Sequence, residues 1–89
     1  MFSTEVRIVN KLGLHARAAA KFVSLASTFA SDVHLEKDGK RVNGKSIMGV
    51  MMLAASQGST LALQVEGEDE NEAARQLIDL VNGYFGEGE

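Results

Sequence analysis

The chain contains no cysteine. Disulfides, thiolate zinc sites and thiol nucleophiles are therefore excluded, and a fold of this size must be held by packing alone. A reducing compartment suits it. Proline is absent too, which leaves nine glycines to mark the breaks between elements. The longest apolar run, Ile47 to Ala55, is far shorter than the roughly 20 residues that cross a bilayer. Met1-Phe2-Ser3-Thr4-Glu5 has neither the basic cap nor the apolar stretch of a secretory signal, so the expected location is the cytoplasm, with no membrane insertion. There is no basic excess, and a net charge of −3 with a pI near 5.3 argues against a general nucleic-acid binder. His15 and His34 have no metal-ligand spacing, and no Walker loop, Gly-x-Ser-x-Gly elbow or dinucleotide fingerprint occurs. No metal and no cofactor are expected. Aromatic-lined pocket signals are also missing, which counts against a small-molecule sensor domain.

What remains is the composition of an ordinary folded chain: 89 residues, 45% apolar and 24% charged, enough for a single domain over residues 1–89. The charge is polarised. Residues 1–65 carry eight basic and four acidic side chains, and residues 66–89 carry one basic and eight acidic. Val6 and Ile8 alternate within a strand over Phe2 to Val9. From Ala16 to Phe29 the positions Ala18, Ala19, Phe22, Val23, Ala26 and Phe29 share one helical face. Asp32 to Lys37 alternates again, and Asp38-Gly39 turns it into a short strand around Arg41 and Val42. Ser46 can cap a short helix running to Ala55, with Gly58 as its stop. Thr60 to Glu66 is a fourth strand. A last helix starts near Asp69 and buries Ala73, Ala74, Leu77, Ile78, Val81 and Phe85. The order β-α-β-β-α-β-α predicts an α+β fold, a two-layer sandwich in which a mainly antiparallel sheet is covered on one face by the helices.

Two segments depart from simple folding logic. In Asn10-Lys11-Leu12-Gly13-Leu14-His15-Ala16-Arg17 the first long helix starts with histidine in the capping place, which is not a preferred cap. A helix N-terminus favours an anion, so a neutral ring suits the position. Such an imidazole is a competent nucleophile, and the free N–H groups could then hold the oxygens of a phosphoryl group it had accepted. Arg17 would add a charged donor fork, and Gly13 would let the backbone approach closely. His34, on an outward strand face, reads as surface.

The second segment, Gly44-Lys45-Ser46-Ile47-Met48-Gly49-Val50-Met51-Met52-Leu53, is apolar nearly all the way round a short helix. Val50 and Leu53 are spaced to face the core. That leaves some of Ile47, Met48, Met51 and Met52 as an adaptable patch for a protein partner. Ser46 reads first as a cap. Phosphorylation there would put negative charge on a helix N-terminus and repel an acidic partner.

Gly13-Leu14-His15-Ala16-Arg17 followed by Gly44-Lys45-Ser46-Ile47-Met48-Gly49-Val50-Met51 resembles the histidine-containing phosphocarrier family, HPr, together with its nitrogen-related paralogue NPr. The resemblance implies an open-faced sandwich of four antiparallel strands and three helices. It implies a carrier rather than an enzyme with turnover, in a phosphoenolpyruvate-dependent phosphotransferase system. Enzyme I would phosphorylate His15 at Nδ1, and the group would pass to a histidine of an enzyme IIA domain. Arg17 and the N–H groups of Ala16 and Arg17 would hold the phosphoryl. Ala20, Ile47, Met48 and Met51, rimmed by Arg17, Lys21 and Lys45, would form the docking surface of a monomer. Ser46 matches the site that a dedicated serine kinase modifies in some bacteria. Ala18 stands where the family usually has proline. Asn82-Gly83-Tyr84-Phe85 leans toward the nitrogen branch, and the Ser46 motif leans toward sugar uptake. The competing reading is a regulatory adaptor that works through its unphosphorylated surface.

Overall fold

The alternating segments pair as they must if their apolar faces are to share one side. The computed structural model describes residues 1–87, and in it β1 (Phe2–Arg7), β2 (Asp32–Lys37), β3 (Lys40–Asn43) and β4 (Thr60–Glu66) form one antiparallel sheet in the order β1-β4-β2-β3. The register sets Val6 opposite Leu61, and Leu35 opposite Leu63. Val33, Leu35, Leu61, Leu63 and Val65 are all buried. Shifting any strand by one residue would turn these side chains to solvent, so the hydrophobic pattern fixes the register. Arg41, His34 and Gln64 lie on the opposite, open face, where the Arg41 guanidinium donates to Gln64.

The helices α1 (Ala16–Ala26), α2 (Ile47–Met52) and α3 (Glu70–Asn82) cover the other face. Ala18, Ala19, Phe22, Val23 and Ala26 of α1 are buried together with Ala73, Ala74, Leu77 and Val81 of α3. Each large side chain so buried is worth roughly 1.5–3 kcal/mol over leaving it in water.

The element order and the sheet agree with the sequence reading, and the differences fall at element ends. The first strand stops at Arg7 rather than Val9, although Ile8 continues the pairing through Ser59 O and Gly58 N. α1 ends at Ala26 rather than Phe29, because Thr28 N and Phe29 N reach back three residues instead of four. The Thr28 hydroxyl also takes the Leu25 carbonyl at 2.7 Å. α2 ends at Met52 and not at Ala55. Its stop is Ala54, at φ 50°, and Gly58 belongs to the following turn. α3 ends at Asn82, so Phe85 does not belong to it. Phe85 still reaches the core, from a short 3-10 turn over Tyr84–Gly86 in which Tyr84 and Phe85 have φ values of 61° and 53°. Ile78 is only half-buried.

Candidate functional site

The loop before α1 is built around a turn in which Gly13 N–H donates to Asn10 O. Gly13 has φ +68°, and a Cβ there would come within 2.5 Å of the Ala55 carbonyl. That close approach brings Leu14 N–H onto Ala55 O at 2.8 Å and clamps the loop to the chain leaving α2. His15 follows as the helix cap, with extended backbone (φ −75°, ψ 177°). Its Nδ1 accepts the Arg17 backbone N–H at 3.3 Å, and its Nε2 lies 2.6 Å from Glu87 Oε2. An amide N–H and a carboxylate on opposite sides of the ring select one neutral tautomer: the proton is on Nε2, and the lone pair is on Nδ1.

Glu87 is itself held. The buried Asn10 donates Nδ2 to Glu87 Oε1 at 3.0 Å and to Gly13 O at 2.8 Å. Burial alone would push the Glu87 carboxyl up, but the hydrogen bonds from His15 and Asn10, with the nearby Lys21 charge, leave it below the usual range. Asn10 Oδ1 is buried with no partner among the described residues. Lys21 Nζ donates to Phe85 O at 2.7 Å and so fastens the 3-10 turn that delivers Glu87. Lys11, Arg17, Lys21, Gly86 and Glu87 line one shallow depression beside the ring. This concentrates three cations at the mouth of the site, suited to an incoming anion.

The sequence-derived residues divide between this site and the helix beside it. Ala16 and Arg17 open α1 and are exposed, and Ala20 and Lys21 lie one turn on, half-buried and exposed respectively. α2 packs against α1. There Ile47, Met48 and Met51 are exposed, Met48 at 75%, whereas Val50 and Leu53 point inward. Ser46 caps α2, its Oγ accepting Gly49 N–H at 3.0 Å. Lys45 does not stand free, because its ammonium donates to Phe29 O at 2.8 Å. His34 lies away from the site, on the open sheet face. Sequence reasoning gave no role to Asn10 or Glu87. Nothing local could have signalled Glu87, which lies 72 positions from His15.

A nucleophilic nitrogen, N–H donors next to it and nearby cations can together accept and hold a transferable anionic group. The family profile described as "PTS HPr component phosphorylation site" matches residues 2–83. The chain is 58% identical over 89 residues to the phosphocarrier protein HPr of Neisseria meningitidis, with all of both chains covered. Among solved structures, it is similar to HPr from Thermoanaerobacter tengcongensis, with a TM-score of 0.94, 53% identity and 98% of each chain covered. HPr from Bacillus anthracis aligns with a TM-score of 0.87 at 46% identity, covering 90% of this chain and 95% of that one.

Proposed function

Because the chain belongs to the HPr family of phosphocarrier proteins of the phosphotransferase system, we propose that His15 is the residue that carries the phosphoryl group. The observation that carries this reading is the pair of contacts on the ring: Glu87 Oε2 accepts from Nε2, which leaves the lone pair on Nδ1, engaged only by the 3.3 Å bond from Arg17 N–H. Nδ1 attacks the phosphorus of phosphorylated enzyme I. The bond from phosphorus to the donor histidine breaks, and its electron pair returns to the donor ring. The 3.3 Å bond from Arg17 N–H is long enough to be given up cheaply, and that N–H with the one of Ala16 then turns to the phosphoryl oxygens. The Arg17 guanidinium balances their charge. A second in-line transfer hands the group to a histidine of an enzyme IIA domain.

Docking uses Ala20, Ile47, Met48 and Met51 as the apolar centre, with Arg17 and Lys21 at the rim. Lys45, tied to Phe29 O, contributes positive charge from its anchored position. Where a serine kinase is present, phosphorylation of Ser46 would add charge at the edge of this patch and weaken docking of an acidic partner. The carrier acts as a cytoplasmic monomer without turnover of its own. The adaptor reading is favoured by one observation, the exposed Ile47, Met48 and Met51, which need no phosphoryl group to bind a partner.

The test is intact mass after incubation with phosphoenolpyruvate, magnesium and a bacterial enzyme I of the sugar or nitrogen branch. One acid-labile phosphoryl group, absent from His15→Ala, is the expected result. No added mass with either enzyme I would overturn the carrier reading. A regulatory phenotype that survives His15→Ala would establish the adaptor instead.

A further inference from the structure

All four methionines of the chain are exposed, and three of them crowd one short helix. Met48, Met51 and Met52 of α2 and its end are 75%, 42% and 60% exposed. Among the described residues, the buried apolar core consists of Ala, Val, Leu, Ile and Phe, with no methionine. The inward positions of the same segment are Val50 in the helix and Leu53 at its C-cap. Leucine would give the outward positions similar apolar area. A thioether adds adaptability and one further property, reversible oxidation. With no cysteine in the chain, these are also its only kind of oxidisable sulfur.

We propose that Met48, Met51 and Met52 form an oxidation-sensitive site, at which a peroxide converts thioether to sulfoxide and suspends recognition of the protein donor. The proposal rests on the docking role given above to Met48 and Met51. In each event the sulfur lone pair attacks one peroxide oxygen. The O–O bond breaks as the S–O bond forms, sulfur is oxidised by two electrons, and hydrogen peroxide is reduced to water. The sulfoxide is polar and chiral. Against an apolar partner surface its oxygen would lose hydration without gaining a donor, which weakens docking.

The damage is confined to docking by the architecture. No methionine packs into the core, so the fold does not sense the change. The ring of His15 is held by Glu87 and Arg17 N–H, and Glu87 by Asn10, so no sulfur takes part in arming the nucleophile. Oxidation should therefore separate recognition from chemistry.

The experiment oxidises the whole protein with dilute hydrogen peroxide and locates the added oxygens by peptide mass. Three properties are then compared with the untreated protein: KM for the carrier in phosphorylation by enzyme I, the rate of His15 phosphorylation by phosphoramidate, and Tm. Phosphoramidate is a small donor that needs no docking surface. The expected result is a KM raised about tenfold or more, with phosphoramidate rate and Tm unchanged and KM restored by methionine sulfoxide reductases. In Met48→Leu/Met51→Leu/Met52→Leu, whatever its starting KM, peroxide should leave the value as it was. An unchanged KM in protein carrying the three sulfoxides would overturn the proposal, as would a fall in Tm or equal loss in both phosphorylation assays. If untreated protein takes no phosphoryl group from enzyme I, the docking reading itself fails, and that is seen before any peroxide is added.

Discussion

Around His15 single atoms decide the geometry. Gly13 is fixed by two independent demands, a left-handed backbone at φ +68° and the Ala55 carbonyl 2.5 Å from where a Cβ would sit. Gly13→Ala should therefore cost about 2–4 kcal/mol in urea unfolding, the sum of left-handed strain and a clash with backbone that cannot easily retreat. A loss under 1 kcal/mol would mean that the loop can move off α2 freely. Glu87 acts on the ring through its charge and its two oxygens. Glu87→Gln leaves one oxygen to serve both Asn10 and His15. Ring 15N shifts should then show less of the Nε2–H tautomer, and phosphorylation by phosphoramidate should slow several-fold. Unchanged shifts would mean that the helix N-terminus alone sets the tautomer. His15 and Arg17 could be picked out from the sequence because a histidine in a capping place breaks a local preference. Asn10 and Glu87 could not, because their roles exist only where the loop before α1 meets the turn that follows α3.

At the scale of elements, apolar spacing identified β1, α1, β2, β4 and α3, the Asp38-Gly39 turn identified β3 and the Ser46 cap identified α2, whereas the 3-10 turn over Tyr84–Gly86 gave no signal; backbone hydrogen bonding decided where each element ends. α2 shows this clearly. Ala54 N–H reaches Met51 O at 3.0 Å while the residue itself turns left-handed, a helix exit that glycine usually fills. Ala54→Gly should raise stability by about 0.5–1 kcal/mol, measured by urea unfolding, because it relieves the Cβ penalty of that conformation. No gain would mean that the cost of ordering glycine cancels it. The start of α1 poses the opposite question at Ala18, buried in the first turn. N–H groups there have no partner in the helix ladder, so Ala18→Pro should fold. His15 should accept phosphate in both forms, with a different phosphohistidine lifetime in acid-quench time courses. A parent that accepts none until proline is introduced would contradict this.

The whole molecule is closed by contacts that join distant parts of the chain. Asp69, before α3, accepts Ala30 N–H at 2.9 Å and Ser31 N–H at 3.0 Å, together with the Ser31 hydroxyl. It thereby ties the exit of α1 to the entry of α3. The Ser31 hydroxyl first, and then Ala30 N–H, hold its carboxyl below the ordinary 3.8. The ionised form is favoured by folding, so its contribution is present above 3.8 and is lost as pH falls through the lower folded value. Asp69→Asn should reduce the urea midpoint at pH 7, and the gap from the parent should close in acid. A gap that stays constant with pH would assign the loss to packing instead. The α+β class, the element order, the faces that form the core and the exposed helix that carries the methionines were all legible in the order of the amino acids. Apolar spacing, turn residues and helix caps encode these locally, in neighbours three or four residues apart on helices and two apart on strands. The element ends, the anchoring of Lys45 and the tautomer of His15 came instead from contacts made in the folded chain. Those depend on which carbonyl or carboxylate arrives from elsewhere in the chain, and a contact across 72 positions leaves no trace in either neighbourhood.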